Sequence, residues 1–331
     1  MKAFLCNRYG SPDVLELTDL PKPVPARHEL LVRVSATTVS SADWRVRSLQ
    51  LPAGFGLLGP VALGIGRPRQ PVLGTELAGE VEAIGAAVVN FKPGDKVVGF
   101  TGSRMGCHAE YRCIAADGPV AIQPGNLSDE QAAALCFGGA TMLDFYRRAK
   151  LRSGERVLVN GASGAVGTAA VQLAKHLGAH VTGVCSTVNL ALVRSIGADE
   201  VIDYTRDDFA RSGQVFDVIV DTAGTAPFSR SARALAHGGR LLLVLATLPE
   251  LLKAPWAGWT KGKKVIAGPA SERPGYVQEL ATIAAAGHFT PVVDRCYAFE
   301  DMRAAHHYVD SGRKRGSVVI RVGGPVHAVT A

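Results

Sequence analysis

A glycine-rich turn is the stretch of this sequence whose residue types best fit a chemical site. Residues 156–175 read RVLVNGASGAVGTAAVQLAK, an apolar run followed by a turn of small residues and a helical pattern. Ala162, Gly164 and Gly167 stand where a dinucleotide-binding fingerprint has its glycines. The turn predicts a site where N–H groups at a helix start bind a pyrophosphate. The alternative is an ordinary strand–turn–helix whose small residues serve packing alone.

Each fingerprint position has its own physical task. Gly164 is expected to let the pyrophosphate approach the backbone, and Gly167 to let the helix pack on the strand. Ala162 is compatible with the turn only at a negative φ, where a Cβ does no harm, and Gly161 is expected to share the tight turn. The predicted cofactor-binding residues of the turn are Ala162, Ser163, Gly164, Ala165, Val166 and Gly167.

The end of the next apolar strand indicates which nucleotide would bind. NAD-specific sites usually place Asp or Glu there to bind the ribose 2′-hydroxyl. Here HVTGVC (180–185) continues as STVN, which contains no carboxylate. Ser186, Thr187, Asn189 and the downstream Arg194 offer groups that can bind a 2′-phosphate, which favours NADPH. The alternative is that Ser186 or Thr187 serves as the N-cap of the following helix.

The segments around the turn predict its fold. From Ser128 onward, short apolar strands alternate with helical patterns, which is typical of a doubly wound parallel sheet, the Rossmann arrangement. Between the strands, GTAAVQLAKHLG and NLALVRSIG have helical patterns. The predicted strands are 156–161, 180–185, 200–203, 216–223, 239–246 and 263–268.

The two ends of the chain predict a second, β-rich domain. LLVRVSATTV, ELAGEVEAIG and DKVVGF are β-branched runs separated by Pro and Gly, and Leu51 to Gln70 has the composition of a loop. Near the C-terminus, residues 299–312 predict a helix and GSVVIRV a closing strand that returns to this domain. The predicted domains are 1–122 with 288–331, and 123–287.

Composition and charge narrow the function classes. The 331 residues carry a net charge of +7, and Arg313, Lys314 and Arg315 form the only run of three consecutive basic residues, so no nucleic-acid partner is expected. No apolar run approaches the ~20 residues of a membrane span. The N-terminal residues show no apolar leader pattern, which predicts a cytoplasmic protein. The six cysteines form no C-x-x-C pair and are expected to be reduced thiols.

Seven ordered segments carry a family resemblance. They are MKAFLCNRYGSPDVLEL, LVRVSATTVSSADWRVRS, LGTELAGEVEAIG, FKPGDKVVG, GERVLVNGASGAVG, IGADEVIDY and RGSVVI. With them the chain resembles a zinc-independent medium-chain dehydrogenase/reductase of the quinone oxidoreductase, or zeta-crystallin-like, group. The resemblance implies a GroES-like β domain beside the Rossmann domain, an active cleft between them, and a homodimer formed by edge pairing near KKVIAG.

The same resemblance predicts that no metal is bound. Many relatives hold a catalytic zinc with Cys, His and Cys, whereas here Ser40 and Thr75 occupy the first two places and Cys136 falls near the third. One soft ligand cannot hold zinc, and the four-cysteine loop of a structural zinc is missing. The remaining chemistry is hydride delivery from NADPH to an electron-poor acceptor, a quinone or an α,β-unsaturated carbonyl.

The stretch SSADWRVRS supplies the predicted catalytic residues Ser40, Asp43 and Arg45. Ser40 can bind the nicotinamide ribose or the substrate, and Arg45 can bind the acceptor oxygen as a permanently charged donor. The alternative for Arg45 and Arg47 is surface charge with salt bridges. The alternative for Asp43, which we favour over acid–base work, is a structural hydrogen bond to the backbone.

Further cofactor contacts follow from the resemblance: Thr141, Tyr204, Ala223, Leu245, Ala246 and Ser317. Trp256 and Trp259, in a stretch expected to be a linker, can line the acceptor pocket or pack. Two other functions stay open, an NADPH-binding protein with a structural or RNA-binding role and, less favoured, a zinc-dependent alcohol dehydrogenase.

Overall fold

The computed structural model describes residues 1–56 and 58–323, and for residues 256–261 it describes the backbone alone. The chain forms two compact units. The β-rich unit comprises residues 1–50, 58–137 and 272–323, and the parallel-sheet unit comprises residues 51–56 and 138–271. Compactness does not test independent folding, so the domain boundaries at 122 and 287 stay a prediction.

The strands and helices are numbered in chain order. The strands are β1 (Lys2–Cys6), β2 (Leu15–Asp19), β3 (Glu29–Val39), β4 (Glu76–Ile84), β5 (Lys96–Phe100), β6 (Tyr111–Ala115), β7 (Val120–Ile122), β8 (Arg156–Asn160), β9 (His180–Cys185), β10 (Glu200–Asp203), β11 (Phe216–Asp221), β12 (Leu235–Leu243), β13 (Lys264–Ala267), β14 (Val293–Ala298) and β15 (Ser317–Arg321). The helices are α1 (Ser41–Ser48), α2 (Leu58–Leu63), α3 (Asp129–Ala133), α4 (Cys136–Ala149), α5 (Ala165–His176), α6 (Leu190–Ser195), α7 (Phe228–Ser231), α8 (Leu248–Lys261), α9 (Gly275–Ala285) and α10 (Met302–Asp310).

The parallel-sheet unit has the strand order expected of a Rossmann fold. Its strands run β10-β9-β8-β11-β12-β13, and every adjacent pair is parallel. Successive residues Val157, Leu158 and Val159 of β8 are all fully buried, because both faces of such a strand are covered. The order reverses between β8 and β11, and ligands of this fold bind where the carboxyl ends of the strands meet such a reversal.

The β-rich unit contains a seven-stranded sheet and a two-stranded one. The large sheet runs β14-β15-β3-β4-β5-β7, with β6 added to β3, and the small sheet pairs β1 with β2. Strand β15 pairs antiparallel with β3, with Val318 opposite Val39. This pairing confirms that the C-terminal segment returns to the N-terminal strands.

Three helices differ from the sequence prediction. Helices α1 and α2 interrupt the β-rich N-terminal region, and α2 lies within the stretch predicted as a loop from Leu51 to Gln70. Helix α8 replaces the linker predicted for 247–262, where Thr247 and Glu250 form a reciprocal N-terminal cap. Its two prolines favoured a loop, but Pro249 stands in the first turn, where proline is tolerated. The side chains of Trp256 and Trp259 lie outside the described residues.

Arg47 is completely buried in the β-rich unit, which excludes the surface role left open for it. Its Nη2 donates to both carboxylate oxygens of Asp310 at 2.5 and 2.6 Å, and its Nη1 donates to the Gly10 carbonyl at 2.5 Å. Its Nε donates to Nδ1 of His306 at 3.3 Å, and burial holds the pKa of His306 well below its usual value. One guanidinium therefore joins α1 to α10 and to the loop after β1.

We expect Arg47→Ala to lower the free energy of unfolding by about 3–5 kcal/mol, because it removes one partner of a buried ion pair. Arg47→Lys should recover part of that loss, since an ammonium cannot reproduce the planar fork. Urea unfolding of each variant measures the change. The control is Arg33→Ala, which breaks an exposed pair with Glu80 and should cost less than about 1 kcal/mol. Equal losses for the Arg33 and Arg47 variants would contradict the assignment.

Candidate functional site

The glycine-rich turn has the backbone conformation that its sequence predicts. Gly161 has a φ of +81°, and Ala162 has a negative φ, so the alanine is tolerated as expected. The N–H groups of Gly161 and Ala162 donate to the Val184 carbonyl at 3.1 and 3.0 Å. These bonds fix the start of the turn against β9.

Gly164 and Gly167 are glycines for different reasons. A Cβ at Gly167 would lie 2.0 Å from the Gly161 carbonyl oxygen, which leaves no room for a side chain. A Cβ at Gly164 would meet one atom, that same oxygen, at an ordinary 3.7 Å. Gly164 is the N-cap of α5 and has no side chain to bond the first helical N–H groups, those of Ala165, Val166 and Gly167. The open space and these donors form the geometry of an anion site.

Three predicted cofactor residues form one hydrogen-bonded cluster at the ends of the turn and of β9. The Nδ2 of Asn189 donates to the hydroxyl oxygens of Ser163 at 3.2 Å and Ser186 at 3.1 Å. Because both hydroxyls accept, each keeps its own proton to donate. Ser186 stands at the N-cap position of the following 3₁₀ turn, as the capping alternative predicts, but its side chain makes no cap bond there.

Thr187 is directed away from that cluster. Its hydroxyl donates to Asp203 Oδ2 at 2.5 Å, and Asp203 Oδ1 accepts from the backbone and hydroxyl of Thr205. The Thr187 bond lowers the pKa of Asp203. A carboxylate therefore lies near the end of β9, which sequence reasoning missed because it comes from β10. Asp203 pairs with Cys185 in the parallel register of β10 and β9. Knowledge of the strand order could therefore have shown that this carboxylate lies at the end of β9.

The carboxyl ends of β8 and β11 meet at the strand-order reversal. Asn160 Nδ2 donates to Asp221 Oδ1 at 2.9 Å, and Asp221 also accepts backbone N–H groups from Ala223 to Ala226. The Thr222 hydroxyl donates to the Asn160 carbonyl at 2.9 Å. Asp221 is thus a structural residue that shapes the loop after β11.

The other residues predicted to contact the cofactor are placed as follows. Leu245 packs beside Gly224 in the loop that contains Ala223, and Ala246 follows it half-buried. Tyr204 is 60% exposed at the end of β10, with its backbone N–H bonded to Cys185. Thr141 lies half-buried in α4. Ser317 belongs to the β-rich unit, at the start of β15. Contact of these residues with a nucleotide stays a prediction.

Ser40 and Asp43 cap α1 reciprocally in the β-rich unit. The backbone N–H and the hydroxyl of Ser40 donate to Asp43 Oδ2 at 2.7 and 2.6 Å. Asp43 Oδ1 accepts from the backbone N–H of Gly74 at 2.7 Å, and the carboxylate is fully buried. The structure favours the structural alternative for Asp43, since both of its oxygens are occupied. The Ser40 proton is likewise committed to Asp43.

Arg45 differs from its neighbour Arg47. It is half-buried, and burial lowers the pKa of its guanidinium. Its guanidinium carbon lies 5.3 Å from the ring centre of Trp44, and no described carboxylate forms an ion pair with it. The described residues therefore do not support the alternative of a surface salt bridge for Arg45. The Arg45 guanidinium is thus available to bind an anionic group.

The residues in the places of zinc ligands do not fit zinc. Ser40 bonds Asp43, Thr75 offers a hydroxyl, and Cys136 is a buried thiol whose pKa burial raises. Zinc sites in proteins use His, Cys and carboxylate donors. Within the described part of the chain, no group of three or more such side chains is arranged to hold a metal ion.

Glu76 is a buried acid next to that region. Its Oε1 accepts from the Thr38 hydroxyl at 2.6 Å, and its Oε2 accepts from the N–H groups of Cys136 and Phe137 at 2.9 and 2.6 Å. Burial raises the pKa of Glu76 to about 7, although these donors partly offset it. The carboxyl thus caps α4 while changing charge near neutral pH.

A partly open cavity of about 400 Å³ lies within the β-rich unit. Its walls are mainly apolar and include Val46, Leu63, Phe100, Met105 and Phe137. Its polar side chains are Arg69, Gln70, Thr75, Ser103 and Glu272. The size and lining are those of a site for a small, mostly apolar molecule. Sequence reasoning named Thr75 as a lost zinc ligand but did not predict this cavity.

Comparisons with known proteins agree with this architecture. Residues 26–124 match the model of the alcohol dehydrogenase GroES-like domain, and residues 196–320 match that of a zinc-binding dehydrogenase. The chain is 33% identical to a chloroplast envelope quinone oxidoreductase homolog of Arabidopsis thaliana, over 80% of this chain and 79% of that protein. It is 32% identical to a trans-enoyl reductase of Aspergillus terreus, over 89% and 86%.

A solved structure shows the same fold over nearly the whole chain. The quinone oxidoreductase from Coxiella burnetii superposes with a TM-score of 0.84 at 28% sequence identity and covers 98% of this chain and 99% of its own. Among the described residues, no helix has the length and apolarity needed to cross a membrane.

The two glycines predict opposite outcomes on substitution. Gly164→Ala should keep its stability, because the added Cβ meets no close atom, but should weaken NAD(P)H binding by at least about tenfold by filling the space that the phosphate needs. Gly167→Ala should lower the unfolding temperature, because its Cβ collides with the Gly161 carbonyl. Thermal unfolding and titration calorimetry with NADPH measure the two effects. Unchanged NADPH affinity in Gly164→Ala would place the phosphate elsewhere.

Glu76 predicts a pH dependence of stability. A carboxyl whose pKa is about 7 in the folded chain and 4.5 when unfolded binds its proton more tightly when folded. Its stabilising effect is full below about pH 4.5, is lost as pH rises to about 7, and totals about 3 kcal/mol. In urea unfolding between about pH 5 and about pH 8, the free energy of unfolding of Glu76→Gln should lack this pH-dependent decrease.

Thr38→Val is the companion variant. It removes a donor to the ionised Glu76 and should move the transition to higher pH. Parallel stability profiles for the wild type and Glu76→Gln would contradict the assignment.

Proposed function

The chain belongs to the quinone oxidoreductase group of the medium-chain dehydrogenases/reductases and is an NAD(P)H-dependent oxidoreductase; we propose that it transfers hydride from NADPH to quinones or activated alkenes without zinc. The observation that carries this proposal is the donor set at the zinc places. Ser40, Thr75 and Cys136 supply two hydroxyls and one buried thiol. Without a Lewis acid to polarise an alcohol, the acceptor must itself be electron-poor.

NADPH is supported by the groups near the end of β9. Ser163 and Ser186 keep hydroxyl protons that can be donated to a phosphate, and the N-terminus of α5 adds its N–H groups. The nearby Asp203 accepts hydrogen bonds from Thr187 and Thr205 and lies 3.8 Å from Arg206, so this carboxylate is engaged by the protein's own donors. Arg194 and Arg206 are exposed cations on the elements that follow β9 and β10.

The chain's own residues would contribute positioning and charge. The cofactor, when bound, supplies the hydride. The turn from Ala162 to Gly167 would hold the pyrophosphate, with Ser186 and Asn189 at the adenosine end. Arg45, which has no carboxylate partner among the described residues, would stabilise negative charge on the acceptor oxygen. A guanidinium is a poor proton donor, so the final proton would come from water.

Ser40 and Asp43 would act as positioning residues. Their mutual bonds and the bond to Gly74 fix the N-terminus of α1, which carries Arg45 in its second turn. This role replaces acid–base work for Asp43. The homodimer implied by the resemblance stays a prediction, and β13 is the strand that would serve it, because it stands at the end of its sheet with β12 on one side.

The direct test follows NADPH oxidation by absorbance, with benzoquinone or cyclohexenone as the acceptor. A saturated alcohol with NADP⁺ tests the opposite reaction, alcohol oxidation. We expect turnover with the first two, insensitivity to metal chelators, and kcat/KM at least about tenfold higher with NADPH than with NADH. Ser186→Asp is the matched variant. Its carboxylate should repel the 2′-phosphate and lower kcat/KM for NADPH by at least about tenfold while sparing NADH.

Each alternative predicts a different result. Tight NADPH binding without turnover of any acceptor would support a structural or RNA-binding role. Stoichiometric zinc with alcohol oxidation would support a zinc alcohol dehydrogenase. A wild-type preference for NADH would overturn the cofactor assignment.

A further inference from the structure

Two histidines in the core of the β-rich unit have no exposed surface. His108, in the loop before β6, and His306, on α10, are each 0% exposed, and their rings meet edge to face with centres 5.6 Å apart. A buried imidazole stays neutral unless a nearby acid or acceptor compensates its charge. The proposed function uses neither histidine, and their hydrogen bonds show which nitrogen of each ring carries the proton.

The partner of His306 fixes its proton on Nε2. Its Nδ1 faces Nε of Arg47 at 3.3 Å, and because a guanidinium can only donate, Nδ1 is the unprotonated nitrogen. The proton therefore lies on Nε2, which has no hydrogen-bond partner among the described residues. In His108 the roles are reversed. Its Nε2 donates to the Thr38 carbonyl at 2.9 Å, so its Nδ1 is the acceptor nitrogen.

A second proton on His306 would meet no acceptor in this environment. On Nδ1 it would point at the N–H of Arg47, and the N–H of Nε2 already lacks a described partner. Asp310 is bound by Arg47 through both of its oxygens, and Asp13 faces the exposed His307 at 3.3 Å. Neither carboxylate therefore compensates a charge on the His306 ring.

The wider surroundings of His306 do not supply compensation either. Helix α10 packs against α1, β3, β14, β15 and the turn before β2, and β3 and β15 contribute apolar residues to the shared core. Burial first, and then Arg47, His108 and His307, holds the pKa of His306 well below its usual value. The titratable and charged groups on or around α10 and Arg47 are Cys6, Asp13, Arg47, His108, Asp294, Arg295, Glu300, Asp301, Arg303, His307, Tyr308 and Asp310.

The Arg47 that His306 accepts from holds the second half of α1. Its side chain also binds Asp310 and the Gly10 carbonyl, and its backbone carbonyl accepts from the Gly10 N–H at 3.0 Å. The first half of α1 is fixed separately by Asp43. A change at His306 therefore acts on the half of α1 that contains Arg45 and Arg47.

We propose that His306 is a pH-sensitive latch for the second half of α1. Neutral His306 accepts from Arg47 and keeps this half docked on α10, whereas a proton on Nδ1 turns the acceptor into a donor, breaks the bond and favours the released helix. The released state takes up its proton at the ordinary imidazole pKa of about 6.5. The stability that the latch contributes is therefore full above about pH 6.5 and is lost as the pH falls towards the lower pKa of the docked state.

The test measures hydrogen exchange of the full chain by mass spectrometry between about pH 7 and about pH 5, with rates corrected for the intrinsic chemical exchange at each pH. In the wild type, the protection of the α1 amides should fall by about tenfold per pH unit below about pH 6.5, because each opening takes up one proton. Peptides from β8, in the parallel-sheet unit, should show no such fall.

Two variants isolate the latch from other titrating groups. In His306→Asn the amide oxygen takes the place of Nδ1 and accepts from Arg47 without titrating, so the protection of α1 should not change with pH. The control His307→Asn removes the exposed neighbour that pairs with Asp13 and should behave like the wild type. Glu76, whose contribution to stability has the opposite sign over this range, is present in all three proteins and cancels in the comparison.

NMR of the imidazole nitrogens tests the wild type without relying on the folding of a variant. The His306 ring should stay neutral, with its proton on Nε2, down to about pH 5.5 in the folded chain. The latch is overturned if His306 titrates at the ordinary imidazole pKa of about 6.5 while the chain stays folded. It is also overturned if the protection of α1 is independent of pH in the wild type, or falls equally in His306→Asn.

The consequence of the latch for catalysis is a separate measurement that rests on the proposed function. Because Arg45 lies in the released half of α1, kcat/KM for benzoquinone with NADPH should fall below about pH 6 in the wild type and less in His306→Asn. A pH-dependent loss of α1 protection in a chain that reduces no acceptor supports the latch and counts against the proposed function. Turnover with pH-independent α1 protection supports the proposed function and overturns the latch.

Discussion

The buried carboxylate of Asp43 is the interaction on which the β-rich unit's candidate site depends. One of its oxygens holds the backbone and hydroxyl of Ser40, and the other holds the backbone of Gly74. Asp43 thereby joins the start of α1 to the segment that leads into β4. Thr75 directly follows Gly74, and Arg45 stands two residues after Asp43. A charge this deep is stable because hydrogen bonds replace its lost hydration. The same bonds agree with the structural role that the sequence favoured for Asp43 over acid–base work.

The candidate cofactor site depends on backbone geometry instead. Gly167 must be glycine because its α-carbon faces the carbonyl of Gly161, and the N–H groups that follow Gly164 are donors whatever side chains the helix has. A site built this way leaves a short contiguous motif in the sequence. That is why the turn, its tolerated Ala162 and the part that Gly161 takes in it could be predicted before the structure.

The fold was predictable for the same local reason. Strands β9 and β10 begin and end at the predicted residues. In β9 every residue from Val181 to Cys185 is buried, and a strand buried on both faces has little choice of residues. Helix α8 was missed because its prolines resemble loop residues, although Thr247 and Glu250 carried a capping signal. Burial of Arg47 could not be predicted, because its partners Asp310 and His306 lie more than 250 residues away. The bond of Thr187 to Asp203 likewise requires the order of the strands.

The cavity of the β-rich unit shows where sequence reasoning reaches its limit. Its walls come from α1, from the α2 segment, from Thr75 before β4, from the end of β5 and the turn after it, from the start of α4 and from Glu272. No motif joins these segments, and Thr75 was visible in the sequence only as a ligand that zinc had lost. The structure shows that Thr75 is a buried residue of the cavity lining. A histidine at this position would be a metal donor, whereas a threonine hydroxyl is not among the usual zinc donors. Threonine in place of a histidine ligand therefore removes a metal donor from this position. The backbone at residues 74 and 75 is held by hydrogen bonds to Asp43 and Thr101.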